Sequence, residues 1–175
     1  MPSPALALIA AFLIVASVPA WAGDPVRERS DAWAASVAAF EILDDDPQGM
    51  LELEYRWGWH PSFPWGFPEL APFGGLFVVD ESSLYLYGGI RYDLDLSDRW
   101  RLTPSWGPGL FEAGSGTDLG SALEFRSKLE LSYKIHPRAR LALSFAHLSN
   151  GGLDERNPGS DVLALTCIWS GTKNF

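Results

Sequence analysis

Three residue types that together can form a hydrolytic nucleophile lie close together near the C-terminal end of the chain. His147 and Ser149 end an alternating row of apolar residues whose members are Leu141, Leu143 and Phe145. Residues two apart in a β-strand share one face. A loop rich in Gly, Asn and Pro follows, and Asp161 begins the next apolar run. A hydroxyl, an imidazole and a carboxylate are the parts of an activated serine, so this segment predicts nucleophilic attack on an ester.

The strand period also sets the distance between these groups. A rise of about 3.3 Å per residue puts the Cβ atoms of His147 and Ser149 roughly 6–7 Å apart, which lets the imidazole lean over the hydroxyl. Asp161, at the start of a neighbouring antiparallel strand, can lie beside His147. A second interpretation stays open at this point: an interfacial histidine followed by the turn Ser149-Asn150-Gly151-Gly152 would carry no chemistry.

Alternation with the period of a β-strand recurs along most of the chain. Between Met50 and Trp57 the odd positions are apolar and the even positions are charged. Leu123–Ile135 repeats this alternation, and Leu84–Leu96 repeats it in the other phase, with the apolar residues at even positions. The runs predict eight strands, at 33–42, 49–58, 71–80, 83–96, 99–111, 121–135, 138–149 and 161–171. Eight is the smallest common strand number of outer-membrane barrels. The predicted fold is therefore all-β, an eight-stranded antiparallel up-and-down transmembrane β-barrel.

A soluble β-domain would bury the same apolar faces and expose the charged ones, but two features favour the membrane barrel. The charged faces carry both signs at high density, as mutual pairing in a narrow lumen requires. Aromatic residues fall near one end if the first strand runs outward; these are Trp33, Trp57, Trp100, Tyr133 and Trp169. The expected lipid-facing residues include Leu84, Leu86, Leu129, Leu131, Leu143 and Leu165, and the expected lumen residues include Glu52, Arg91, Arg126 and Glu130. The segment His60–Pro72 contains four prolines, which exclude a regular central strand, and we expect an interfacial loop there.

The N-terminal composition predicts export. Leu6–Val18 is a short apolar run, and Ala20-Trp21-Ala22 supplies a small-x-small cleavage pattern, so residues 1–22 are expected to be a cleaved signal peptide and 23–175 the barrel. Residues 1–22 carry no charged side chain, so the net charge of −9 belongs to the remainder and argues against nucleic acid as a partner. Cys167 is the only cysteine, which excludes an intrachain disulfide. The sequence offers no cluster of metal ligands, so no metal or cofactor is predicted.

Several residues around the serine carry a family resemblance. His147-x-Ser149-Asn150, then Asn157-Pro158-Gly159, then an acid at position 161 resembles the signature of the outer-membrane lipid A 3-O-deacylases, the PagL family. The resemblance implies an outer-membrane enzyme that acts on lipid A in lipopolysaccharide, with Ser149 as nucleophile, His147 as general base and Asp161 as acidic member. It further implies that Gly152 and Asn157 match loop positions that supply oxyanion-hole amides, and that Asn150 matches a functionally important asparagine. A homodimer is left open.

One departure from the family pattern concerns the acid. The family usually has glutamate where this chain has Asp161, which is one methylene shorter, and Asp154 or Glu155 could replace it if the loop folds back. Two other functions remain open. One is a structural or ligand-binding barrel without catalysis, and the other is an outer-membrane phospholipase, a class that typically has more strands.

Overall fold

Eight antiparallel β-strands make up the regular structure of the described part of the chain. The computed structural model describes residues 30–59, 69–80 and 83–171. The strands are β1 (Ala32–Phe40), β2 (Gln48–Arg56), β3 (Leu70–Val79), β4 (Leu84–Tyr92), β5 (Trp100–Glu112), β6 (Leu123–His136), β7 (Ala139–Ser149) and β8 (Ser160–Ser170). Beyond Asp93, β4 resumes for two residues, Leu94–Asp95, which still pair with β5. Within the described residues, no helix has the length and apolar character needed to cross a membrane.

The sheet closes on itself. Each strand pairs with its neighbours in the chain, and β1 pairs with β8 through contacts such as Trp33 opposite Trp169. The pairing of β4 with β5, for example Leu86 opposite Leu110, completes the ring. Closure leaves no strand edge unpaired, which is how a sheet can satisfy its backbone groups inside a membrane. The predicted eight-stranded up-and-down barrel is confirmed.

The strand ends differ from the predicted positions by a few residues, for local reasons. The first strand ends at Phe40 instead of 42, because Glu41 adopts a positive φ of 57° and turns the chain out of the sheet. The fourth strand is interrupted at Asp93, whose carboxylate accepts hydrogen bonds from Arg91 and from the hydroxyl of Thr103. One of these contacts lies within the strand and the other joins it to the neighbouring strand β5, and both are made at the point of the interruption.

The two faces of the strands are sorted as the alternation predicts. Five of the six leucines expected to face lipid are exposed on the outer surface, Leu86 and Leu165 by 57% and 56%, and Leu129 is half-buried. The charged residues Glu52, Arg91, Arg126 and Glu130 are all buried inside the barrel. A soluble domain would show the reverse arrangement, because burying unpaired charge and exposing leucine rows to water are both costly.

The interior has two layers. Near the end that holds Asp80, Ser83 and the loops 41–47, 113–122 and 150–159, which we call the loop end, the lumen is filled by apolar side chains. They include Phe40, Phe77, Phe111, Leu119, Leu148 and Val162. Below them lies an ion network in which Arg126 Nη1 is 2.6 Å from Glu52 Oε1 and Lys128 Nζ is 3.0 Å from Glu54 Oε2. The lumen beneath the loops is thus filled by side chains, which suits the barrel to hold surface groups in fixed positions.

Aromatic side chains mark the opposite end of the barrel. Trp33 contacts Tyr55, which contacts Trp57, and Trp100 contacts Tyr133, with ring centroids 4.8–5.1 Å apart. The aromatic side chains at this end match the predicted aromatic belt. The predicted signal peptide, residues 1–22, and residues 60–68 of the predicted interfacial loop lie outside the described residues. The loop prediction is wrong for Leu70–Pro72, which belong to β3, where Pro72 stands opposite Ile90.

Candidate active site

The pairing of β7 with β8 brings a histidine and an aspartate into contact at the loop end. His147 stands directly opposite Asp161 in the antiparallel register. The Nδ1 atom of His147 lies 2.8 Å from Oδ1 of Asp161, and each side chain is about 15% exposed. Asp161, although one methylene shorter than glutamate, therefore reaches the imidazole without any departure from regular strand geometry. A carboxylate on Nδ1 fixes the ring orientation and favours the tautomer that leaves Nε2 unprotonated.

Ser149 is the last residue of β7 and shares the outer face with His147. It stands opposite Phe125 of β6 and is half-buried. Among the described residues, Ser149 forms no direct hydrogen bond with His147, although the two side chains are neighbours on one face. Hydrogen bonds between a nucleophile and its base are often loose before a substrate binds. The structure thus joins His147 to Asp161 and places Ser149 beside them.

The alternative acids lie elsewhere. Asp154 and Glu155 are exposed in the loop 150–159, where the Asp154 carboxylate accepts a hydrogen bond from the backbone amide of Glu155. Neither forms an ion pair or hydrogen bond with His147 in the described part of the chain. Asp161 is the carboxylate that the fold presents to the histidine.

Asn150 organises the loop that follows the serine. It is completely buried, and its backbone amide donates to Oδ1 of Asn157 over 3.0 Å. Its side-chain Nδ2 donates to the carbonyl oxygen of Arg156 over 2.7 Å, and its Oδ1 accepts from the amide of Gly152 over 2.9 Å. The three loop residues singled out in the sequence, Asn150, Gly152 and Asn157, therefore belong to one hydrogen-bonded network. In this structure the Gly152 amide is engaged by Asn150.

A further residue, Gly159 of the Asn-Pro-Gly motif, touches the histidine. Gly159 has a φ of 70°, a conformation that favours glycine. A Cβ atom at this position would lie 3.0 Å from Cε1 of His147 and 3.0 Å from the carbonyl oxygen of Leu148. Because Gly159 has no side chain, the imidazole of His147 has room in its observed orientation. A glycine directly before a strand was the only signal for this in the sequence.

Comparisons with known proteins show which family this chain resembles. The family model described as Lipid A 3-O-deacylase (PagL) matches residues 49–170, which include every residue of the candidate site. A relative named lipid A deacylase PagL, from Bordetella bronchiseptica, is 34% identical over 71 residues. That alignment covers 39% of this chain and 40% of the relative, so the matched part spans less than half of the relative's length.

Solved structures agree with the fold. The crystal structure of the outer membrane enzyme PagL matches with a TM-score of 0.64 and 20% identity, covering 80% of this chain and 99% of that one. Neisserial surface protein A matches with a TM-score of 0.57 and 11% identity, covering 81% of this chain and 96% of that one. At these identities, the likeness to solved structures concerns the barrel fold alone.

Proposed function

Because the chain belongs to the Lipid A 3-O-deacylase (PagL) family, we propose that it is an outer-membrane esterase that removes the acyl chain esterified at the 3-position of lipid A. The observation that carries this proposal is the family match over residues 49–170, within which the histidine–aspartate pair lies beside a serine on the outer barrel face. The site is built by β7, β8 and their loop within one barrel, and it needs no second copy. The homodimer left open by the sequence stays a prediction.

The proposed reaction is a two-step acyl transfer through Ser149. The hydroxyl oxygen attacks the ester carbonyl carbon while its proton passes to Nε2 of His147. The tetrahedral intermediate then collapses, the imidazolium returns the proton to the departing 3-oxygen of lipid A, and the acyl chain stays on Ser149. A water molecule, deprotonated by His147, then attacks the carbonyl carbon of this acyl-serine. The imidazolium returns the proton to the Ser149 oxygen as the fatty acid is released. Asp161 holds the ring through Nδ1 and stabilises the imidazolium, without taking the proton.

Stabilisation of the oxyanion is assigned to the loop network. Backbone amides near Ser149 can donate to the negative oxygen of the tetrahedral intermediate. Gly152 and Asn157 are the proposed donors, and Asn150 holds both in place through its own hydrogen bonds. Since Gly152 donates to Asn150 Oδ1 before substrate is present, its amide would exchange this partner for the oxyanion during the reaction.

The position of the site supports a lipid substrate. Behind His147 and Asp161, the outer faces of β7 and β8 carry leucine rows, including Leu143 and Leu165, which are both 56% exposed. If β1 runs outward from the periplasm, β7 ends at the outer leaflet, where lipopolysaccharide lies. A substrate can then approach sideways from the membrane, with its acyl chains along the apolar surface and its ester at the rim.

Mass spectrometry of lipid A from cells with and without the protein tests the proposed function. We expect the loss of one 3-linked hydroxyacyl chain when the protein is expressed. Unchanged lipid A would contradict the esterase and favour a structural barrel. Fatty acid release from glycerophospholipid instead of lipid A would identify a phospholipase.

The acidic residue should matter less than the nucleophile. Asp161→Ala is expected to lower kcat by about 10²–10⁴-fold, because the imidazole loses its orientation and the charge partner of its protonated form. Asp161→Glu should retain substantial activity, since glutamate is the usual acid of the family. Kinetics of the purified, folded variants on lipid A provide the measurement. A silent Asp161→Ala together with an inactive Asp154→Ala or Glu155→Ala would show that the acid was misassigned.

Crowding the histidine should also reduce activity. Gly159→Ala places a methyl group 3.0 Å from His147 Cε1 and forces a side chain into a positive φ, which costs about 1–2 kcal/mol. We expect kcat to fall roughly tenfold to 100-fold as the imidazole shifts. Gly171→Ala controls for an added methyl group alone, because a Cβ there meets nothing within 4 Å. Gly114→Ala controls for the positive φ, which is 58° at Gly114. Equal activity of Gly159→Ala and Gly114→Ala would refute the role assigned to Gly159.

A further inference from the structure

The loop between β5 and β6, residues 113–122, is anchored inside the barrel mouth. Leu119 is completely buried and belongs to the apolar cluster that also contains Phe111, Leu148 and Val162. The base of the loop is closed by a hydrogen bond from the amide of Phe111 to the carbonyl oxygen of Ala122, 2.8 Å long. A loop with a leucine inserted into a packed core has a fixed position relative to the strands.

Gly120, the residue after this anchor, lies directly against the loop that follows Ser149. A Cβ atom on Gly120 would lie 2.3 Å from the carbonyl oxygen of Arg156 and 2.9 Å from its carbonyl carbon. These are backbone atoms, so the overlap could be relieved only by moving one of the two loops. Gly120 also has a φ of 94°, which few other residues adopt. Glycine is therefore required for the two backbones to approach this closely.

The carbonyl group touched by Gly120 is also part of the network around Asn150. The Arg156 carbonyl oxygen accepts the hydrogen bond from Asn150 Nδ2, and Asn150 in turn holds the Gly152 amide and the Asn157 side chain. A displacement of Arg156 therefore displaces the acceptor that fixes the Asn150 side chain. The surface ion pair between Arg156 and Asp118, 3.1 Å long, adds a second but exposed link between the loops.

We propose that Gly120 is a positioning residue for the oxyanion-stabilising loop. Residues 113–122 act as a strut: Leu119 anchors it in the barrel, and Gly120 sets the position of the Arg156 carbonyl and, through Asn150, of the Gly152 amide. The catalytic consequence of this inference rests on the proposed function. The mechanical coupling between the two loops does not depend on that function. Asp118 accepts a hydrogen bond from the Gly120 amide over 2.9 Å, which the side-chain oxygen of asparagine can also accept. Its ion pair with Arg156 contributes little, since exposed ion pairs are weak.

Gly120→Ala tests the strut, with Gly114→Ala as matched control. Gly114 lies at the start of the same loop and also has a positive φ, 58°, so its alanine variant carries a similar backbone penalty. For Gly120→Ala we expect kcat on lipid A to fall tenfold to roughly 100-fold with KM within about twofold, because a displacement of about 1 Å in a catalytic group has effects of this size. Gly114→Ala and Asp118→Asn should stay within about threefold of the unmodified protein. Heat-modifiable migration on gels verifies that each barrel is folded.

Hydrogen exchange gives a readout that does not depend on activity. Amides of residues 150–157 should exchange faster in Gly120→Ala than in Gly114→Ala, while the strands stay protected. If Gly120→Ala fails to fold, Leu119→Ala loosens the anchor without adding an atom, and it should show the same change in exchange. Unchanged exchange and an unchanged kcat would overturn the inference. If the unmodified protein does not deacylate lipid A but the exchange result is as expected, the proposed function fails and the strut stands.

Discussion

Replacing Ser149 by alanine is expected to lower the rate of lipid A 3-O-deacylation by roughly 10⁴-fold or more. The variant lacks the oxygen that forms the acyl intermediate, and no other hydroxyl in the proposed mechanism can replace it. The barrel should fold normally, because Ser149 lies half-buried at the end of β7 and outside the ion network of the lumen. The rate of fatty acid release by purified protein, followed by mass spectrometry, measures the effect.

A serine at the opposite end of the barrel provides the control for this experiment. Ser97 lies in the turn before β5, where its hydroxyl accepts hydrogen bonds from the amides of Arg99 and Trp100. Ser97→Ala removes the same atom far from the site, and we expect full activity. Near-normal activity of Ser149→Ala would remove the proposed mechanism, and loss of folding in Ser149→Ala would favour a structural role for the residue.

The second large effect concerns the stability of the barrel. Glu130 is completely buried and accepts two parallel hydrogen bonds from Arg56, 2.8 and 2.7 Å long. Glu130→Leu leaves the buried guanidinium with only Glu54 as a carboxylate partner among the described residues. Removing one partner of a buried ion pair typically costs about 3–5 kcal/mol, so the free energy of unfolding should fall by this amount. Equilibrium unfolding in urea, with the barrel in lipid vesicles, gives the value.

A double-mutant cycle separates this effect from simple loss of packing. Arg56→Leu combined with Glu130→Leu removes both charges, and replacement of a buried pair by apolar residues is often far less destabilising than removal of one member. We therefore expect the double variant to lose less stability than the sum of the two single variants. Additivity within about 0.5 kcal/mol would show that the pair is not coupled.

Much of this barrel could be predicted from the sequence because alternation is a local signal. Leu51, Glu52 and Leu53 already show which side chain points outward and which inward, and the closed sheet preserves that phase. The placement of Asp161 beside His147 followed from the same period, since each ends an apolar row at the same end of neighbouring strands. The catalytic roles of these residues stay predictions.

The contacts that the sequence did not predict are those between loops. The hydrogen bond from Asn150 to Arg156, the insertion of Leu119 into the core and the approach of Gly120 to Arg156 have no periodic pattern. Each depends on how two irregular segments meet after the barrel has closed. The break of β4 at Asp93 was also not predicted, and there the Asp93 carboxylate accepts a hydrogen bond from Thr103 on the neighbouring strand β5.

Covalent trapping of the nucleophile is a direct test of the role proposed for Ser149. An alkyl fluorophosphonate forms a bond between phosphorus and an activated serine oxygen with loss of fluoride, and peptide mass spectrometry locates the adduct. We expect one adduct on the folded barrel, at Ser149, formed in step with the loss of deacylase activity and greatly slowed in His147→Ala. An adduct on another serine in step with inactivation, or full activity after complete modification of Ser149, would contradict this role.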